Sequence, residues 1–435
     1  MADTSLATFD KLMKEVYQRD VQVQINRRTR TLDLWSQKSE IPWSGREIVY
    51  PVEVSGIENA MALGEFGTLP DPGTPIWVDK RIPMKHLYTR VRFSKQVMTY
   101  SRTSKGAFER AMEAIMGRAV RDLAHKRNLF CLLDGRARLA TATGAMSGTT
   151  LTVDAPGGVA GTTNPTRYLQ PNMVIAIVKD NDGDGVADSL TGIRSISSVA
   201  DDGTNNTVVL NSTLASVADS DWVTLASGTS GSDLIRDTSA NQAPMGLLGI
   251  VDDTTYLTTF HNINRSTYPV WNSHVFSSVG ALSLDILQRG FDIADMRGEA
   301  ELYCLLTHHS VRRAYLVLLE ADRRYSGEYL MKPDLGTKGA ALSSDITYAG
   351  VPFKVDKDAP YGIIFGLGDK SSMLRWSHIS GEWADEDGRV LRIASNSQDA
   401  WEAFYRIFEN YDCDRPNASV RWDGVTANVV TTHLF

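Results

Sequence analysis

Asp180-Asn181-Asp182-Gly183-Asp184-Gly185-Val186-Ala187-Asp188 is the stretch whose residue types and spacing come closest to chemistry. Alternate carboxylates followed by glycine present oxygens at the first, third and fifth positions of a calcium loop. Gly185 would supply the sharp turn and Asp188 the ninth-position contact. Asp180, Asp182, Asp184 and Asp188 are therefore the candidate ligands for a structural calcium ion. The twelfth position is Thr191, not the bidentate Glu that completes an EF-hand, and the flanks alternate like strands rather than helices. A solvated β-hairpin turn, where Asp, Asn and Gly are favoured, explains the same residues. An ion here would trim a turn and catalyse nothing.

The rest of the chain offers no catalytic constellation. There is no P-loop, no GxGxxG before a helix, no HExxH, no GxSxG elbow and no CxxC pair. His308-His309 open a helix that continues Arg312-Arg313, and read as surface or capping histidines. Cys131, within Leu129-Phe130-Cys131-Leu132-Leu133, reads as a small core residue. Cys304 and Cys413 lie far from it and from each other, so no disulfide framework is indicated. No other cofactor is implied. No apolar run approaches the ~18 residues a membrane span needs, and the first 25 residues do not pattern as a secretory signal. The expectation is a soluble chain of a reducing compartment.

Charge is distributed unevenly over the 435 residues. Residues 145–240 hold eleven Asp, one Lys, three Arg and no Glu, a net −7 that equals the excess of the whole chain. Residues 47–79 carry six acids (Glu47, Glu53, Glu58, Glu65, Asp71, Asp79) and no base. Residues 80–102 reverse this with Lys80, Arg81, Lys85, Arg90, Arg92, Lys95 and Arg102 and no acid. Over 80–138 fifteen bases face four acids. Such a stretch suits phosphates, but aromatics are too sparse there for a base-stacking platform. Contact with the acidic loop of a neighbouring copy is the favoured reading, and the two are compatible.

The elements that must position these charges follow from periodicity. Leu6, Phe9, Met13 and Val16 mark an amphipathic helix over 5–20. Residues 46–79 alternate, break into Gly and Pro, and resume at Ile76-Trp77-Val78, which describes a long two-stranded loop. Phe108, Ala111, Met112, Ile115, Ala119, Val120 and Leu123 stripe a helix predicted over 104–134, with Gly135 as its C-cap. Short strands at 150–153, 173–178, 193–196, 207–210 and 222–225 predict a small inserted β-barrel or sandwich. Helices are expected at 281–297 and 308–324, and strands near 346–356, 361–366, 372–376 and again over 400–430.

The order of these pieces resembles the major capsid protein of tailed bacteriophages, the Hong Kong 97 fold. The resemblance covers about 1–140 and 242–435. It rests on the acidic Gly/Pro loop, the basic strand Lys85-His-Leu-Tyr-Thr-Arg-Val-Arg-Phe93, the helix ending Leu132-Leu-Asp-Gly135, and Gln242-Ala-Pro-Met-Gly-Leu-Leu-Gly249. Tyr348-Ala-Gly-Val-Pro-Phe353 and Gly366-Leu-Gly-Asp369-Lys-Ser-Ser-Met-Leu add to it. It implies an α+β fold with an N-terminal arm (1–45), an extended loop draped over a neighbour (46–92) and a peripheral domain (93–144) with its spine helix. An acidic β-rich insertion (145–240), an axial domain (241–392) and a C-terminal return (393–435) complete it.

The resemblance further implies a non-enzymatic shell protein forming hexamers and pentamers around double-stranded DNA, located in the virion capsid and assembled in the host cytoplasm. A separate scaffolding protein, a portal and a cement protein would be partners, and no membrane. Residues 47–79 contain no lysine, so cross-linking through a loop-tip lysine, as in some relatives, is not expected. The contact expected between subunits joins Glu58, Glu65 and Asp71 of one loop to Arg90, Arg92, Arg118 and Arg121 of the next copy. A nanocompartment shell of the same fold, or a calcium-stabilised β-rich binding protein, are the alternatives.

Overall fold

The computed structural model describes residues 31–38, 47–57, 59–96, 111–161, 163–183, 185–200, 206–228, 235–323, 346–385, 390–393 and 399–427. The helix expected over 5–20, residues 104–110 of the long helix, Glu58, Asp184 and the last eight residues lie outside them. The chain divides into two compact units. One comprises Met1–Arg27, Tyr88–Leu123 and Glu382–Arg406, and the other Arg28–Leu87, Ala124–Gly381 and Ile407–Phe435.

Residues 47–83 form an antiparallel hairpin of strands Glu47–Ser55 and Ile76–Pro83, in register from Glu47↔Pro83 to Glu53↔Trp77, with a bulge between Glu53 and Ser55. Its period-two pattern puts Ile48, Tyr50 and Val52 on one face with Val78, Lys80 and Ile82. That face packs against Leu374, Trp376 and the main core. From Gly56 to Pro75 no described residue is buried.

The helix Ala111–Phe130 spans 20 residues, about 30 Å at 1.5 Å per residue. It stops short of the predicted Leu133-Asp134 end, and Gly135 (φ 82°) is not its cap. Packing explains the early stop. Cys131, Leu132 and Leu133 are wholly buried, and Leu247 N–H donates to the Cys131 carbonyl at 2.7 Å. Gly246 fits so tightly that a Cβ would sit 2.2 Å from the Leu133 carbonyl oxygen. Tertiary partners thus take over carbonyls that another turn of helix would have claimed.

Six antiparallel strands close a barrel in the order Trp222–Leu225, Ala140–Ala142, Thr150–Asp154, Thr207–Leu210, Ser189–Val199, Val174–Lys179. Closure removes exposed edges. It begins at Ala140, ahead of the expected boundary at 145, because a three-residue strand is too short to show alternation. The barrel is bolted to its unit. Arg167 is 1% exposed, donates to the carbonyls of Lys357 and Ala359 at 2.6 and 3.1 Å, and stacks on the rings of Tyr168 and Tyr361. Tyr168 adds a hydrogen bond to the Asp358 carbonyl at 2.7 Å.

A mixed six-stranded sheet runs His274–Phe276, Val420–Trp422, Ile364–Leu367, Cys304–Thr307, Val351–Val355, Thr347–Tyr348. Its two central strands, Ile364–Leu367 and Cys304–Thr307, are buried at every residue because both faces are covered. Leu305 and Ile364 meet Leu287 and Ala294 of helix Leu284–Gly298 and Val311 and Tyr315 of helix His309–Arg323. Cys304, Leu306, Phe365 and Leu367 turn to the opposite core with Phe260 and Trp271. Ser283 caps the first helix, its Oγ accepting from Ile286 N–H. Gly290 allows contact with buried Trp422, whose ring atom Cζ2 would lie 2.0 Å from any Cβ there. A further sheet has the order Ser36–Lys38, Met373–Trp383, Ala400–Cys413, Arg392–Ile393, with Lys85–Ser94 also paired to Ala400–Cys413.

Candidate functional site

The root of the hairpin is locked by charge. Lys80, fully buried, places Nζ 2.6 Å from Asp412 Oδ1 and donates to the Cys413 carbonyl at 2.9 Å. The rings of Trp271 and Tyr50 lie 4.9 and 5.0 Å from the same ammonium. Tyr50 donates to Asp412 at 2.9 Å and to Asp414 at 2.5 Å. His261 Nε2 stands 3.5 Å from Asp412 Oδ1 and 3.1 Å from the Tyr411 carbonyl oxygen. Burial alone would raise the Asp412 carboxyl, but the Lys80 ammonium, then His261, hold it below its usual range. Burial drives the His261 imidazole down to about 4, against the pull of Asp412. A carboxylate facing an ammonium, a phenol and a neutral imidazole is fully partnered, as a buried charge must be.

Backbone hydrogen bonds tie down the same root. Arg81 N–H donates to the His261 carbonyl at 2.9 Å, and Asn410 Nδ2 to the Pro83 carbonyl at 2.7 Å. The free end is the opposite case. From Gly56 to Pro75 no described side chain is buried, and Ile57, Met61, Leu63, Phe66 and Leu69 are exposed, with Ile76, Trp77 and Val49 just below. Apolar side chains gathered on one projecting loop are the mark of an interaction surface rather than scatter. Glu65 and Asp71 stand exposed among them.

The basic residues expected to meet that loop have separate fates. Arg90 forms an ion pair with Glu402 of its own chain and lies over the Phe404 ring. Arg92, Arg118 and Arg121 are exposed, and Arg121 Nε donates to the Gly117 carbonyl at 3.3 Å. Lys80, counted with the basic stretch, is instead the buried anchor. Its phase in the strand, shared with Val78 and Ile82, was the available signal; Asp412 lies too far along the chain for any local pattern to reveal.

At the barrel turn, carboxylate oxygens of Asp180, Asp182 and Asp188 lie within 4.8 Å of one another. Asp180 accepts from the N–H groups of Gly183 and Gly185 at 2.7 and 2.8 Å, and Asp188 from that of Asn181 at 2.8 Å. The strand ladder passes from Leu190 to Gly192 and skips Thr191, the twelfth position. The fit to calcium is partial: three ligands converge, and Asp180 and Asp188 already accept from their own loop. His308 caps its helix, its Nδ1 accepting from Ser310 N–H at 3.2 Å, and Cys131 is core.

No protein-family model matches the chain, and no curated protein matches it. Among solved structures, one titled as the cyanophage A-1(L) capsid asymmetric unit is similar over 97% of this chain and 100% of that one, with a TM-score of 0.60 at 12% identity. The capsid of a native GTA particle follows at TM-score 0.49 and 10% identity, covering 98% of this chain and 100% of that one. A Gordonia phage Cozz structure has TM-score 0.47 and 11% identity over 98% and 96%. Extended hairpin, long helix, two-layered mixed sheet and a barrel inserted between them together make this an α+β chain with the fold of a tailed-phage major capsid protein.

Proposed function

We propose that the chain is a structural subunit that assembles with copies of itself, as hexamers and pentamers, into a closed virion shell around double-stranded DNA, and that it catalyses nothing. The observation that carries this reading is the hairpin: a root fixed by a buried ion pair and a tip of apolar side chains uncovered by its own chain. A subunit that leaves so much apolar surface in water gains stability when another copy covers it. Scaffolding, portal and cement proteins are the further partners this role calls for, and assembly in the host cytoplasm its setting. Electron microscopy and sedimentation of the purified protein test it. Closed shells support it, and a monodisperse monomer at high concentration rejects it.

Charge would guide the encounter. The loop acids Glu58, Glu65 and Asp71 would be drawn to the basic stretch of a neighbour, to whose field Arg92, Arg118 and Arg121 contribute, while Arg90 chiefly serves Glu402 of its own chain. Such complementarity sets register and on-rate more than affinity. Reversing the three acids to lysine should slow or block assembly and leave the subunit folded. At the barrel turn we propose a weak calcium site of Asp180, Asp182, Asp184 and Asp188 that only stiffens the turn. The converging carboxylates support it, and absence of heat on titration with millimolar calcium would dispose of it.

A further inference from the structure

The apex of the hairpin is a tight turn, closed by Gly67 N–H donating to the Gly64 carbonyl at 3.0 Å. Its central residues are Glu65 and Phe66. Phe66 has φ 67°, a left-handed conformation that a bulky side chain avoids, and it is 97% exposed. Among the described residues, nothing within the subunit repays this arrangement. Glycine would turn the chain more easily, and an apolar ring in full solvent gains nothing. Backbone strain combined with an exposed aromatic points to a partner that receives the ring.

The same compact unit as the hairpin contains a cleft of about 860 Å³. Pro83, Met245, Leu257 and half-exposed Val186 supply its apolar lining. Its cations, all from the basic stretch, are Arg81, which pairs with Glu47, Lys85, which donates to the Asn241 carbonyl at 2.7 Å, and Arg136. Its two carboxylates are engaged, Asp134 by Arg138 and Glu47 by Arg81. The loop that carries Phe66 is single-signed in the opposite sense, with acids and no base over 47–79. The ring matches the apolar lining, and the acidic loop matches the cleft's excess of bases over acids.

We propose that the Glu65-Phe66 turn of one copy is a preformed plug that seats in this cleft of a second copy. The inference rests on the self-assembly reading and names the surface that receives the loop. The barrel turn at Gly185-Val186 forms one wall, so the inserted barrel takes part in the contact between subunits.

Photo-crosslinking tests it. Full-length protein carrying benzoylphenylalanine in place of Phe66 is irradiated after assembly, and linked peptides are mapped by mass spectrometry. The expected result is links between copies onto peptides containing Pro83, Val186, Met245 or Leu257. Links between copies that fall elsewhere, for instance on helix Ala111–Phe130, overturn the cleft while leaving the shell reading intact. Failure of the unmodified protein to assemble at all defeats the shell reading itself, and the cleft with it. Val186→Glu is the second measurement. The residue is half exposed, so the subunit should fold, and the concentration needed for assembly should rise at least tenfold. An unchanged threshold also overturns the proposal.

Discussion

Replacing Phe66 with glycine should separate folding from assembly in opposite directions. Within the subunit the ring is almost wholly in water, so its removal costs no packing. The left-handed backbone at φ 67° costs an L side chain roughly 1–2 kcal/mol, which glycine avoids, less about 0.5–1 kcal/mol for the added freedom of the unfolded chain. The unassembled Phe66→Gly subunit should therefore unfold at the same urea concentration as wild type or slightly higher. Burial of a Phe side chain in a neighbour contributes about 1.5–3 kcal/mol, and each 1.4 kcal/mol is tenfold in a dissociation constant. The critical concentration for assembly, followed by light scattering and confirmed by sedimentation, should rise roughly 10- to 100-fold. A variant that assembles at the wild-type threshold, or whose subunit is clearly destabilised, would show that the ring acts within its own chain.

Lys80→Met should lower subunit stability by about 3–5 kcal/mol, because it leaves the Asp412 carboxylate buried without its cation; an unchanged urea midpoint would mean that the pair does not form in solution. His261, at about 4 in the folded chain against about 6.5 unfolded, binds more protons unfolded. Its contribution is complete above pH 6.5 and is lost as pH falls from 6.5 through 4, up to about 3 kcal/mol. His261→Gln should flatten that part of a Tm-against-pH curve, and a slope unaltered by the substitution would assign the acid sensitivity elsewhere. Gly290→Ala should cost about 1–3 kcal/mol despite the better helix propensity of alanine, since the methyl would strike Trp422; a raised Tm would contradict the packing.

Local periodicity made several elements legible. The two-stranded loop was visible because Val52 and Val54 alternate with Glu53 and Ser55 and the Gly/Pro tip cannot continue a strand. The helices at Leu284–Gly298 and His309–Arg323 were visible from apolar spacing, and five of the six barrel strands from short apolar runs between turn residues. Three things were not legible, and each depends on contacts distant in sequence. The end of helix Ala111–Phe130 is set by Gly246 and Leu247, over a hundred residues on. The burial of Lys80 requires Asp412 and Trp271, and charge counting placed that lysine on a surface. The pairing of Arg90 with Glu402 of its own chain joins residues 312 positions apart, which no local pattern shows. Net charge over a stretch describes the field around it, but individual pairings are decided by the fold.

The most direct measurement is a density map of the assembled particle, read at residues 56–75 of the hairpin. In a shell of these subunits the tip should be covered, with Phe66 enclosed by an adjacent copy. A particle in which every tip projects into solvent, or a protein that stays monomeric at all concentrations, would contradict the claim that one copy completes the next.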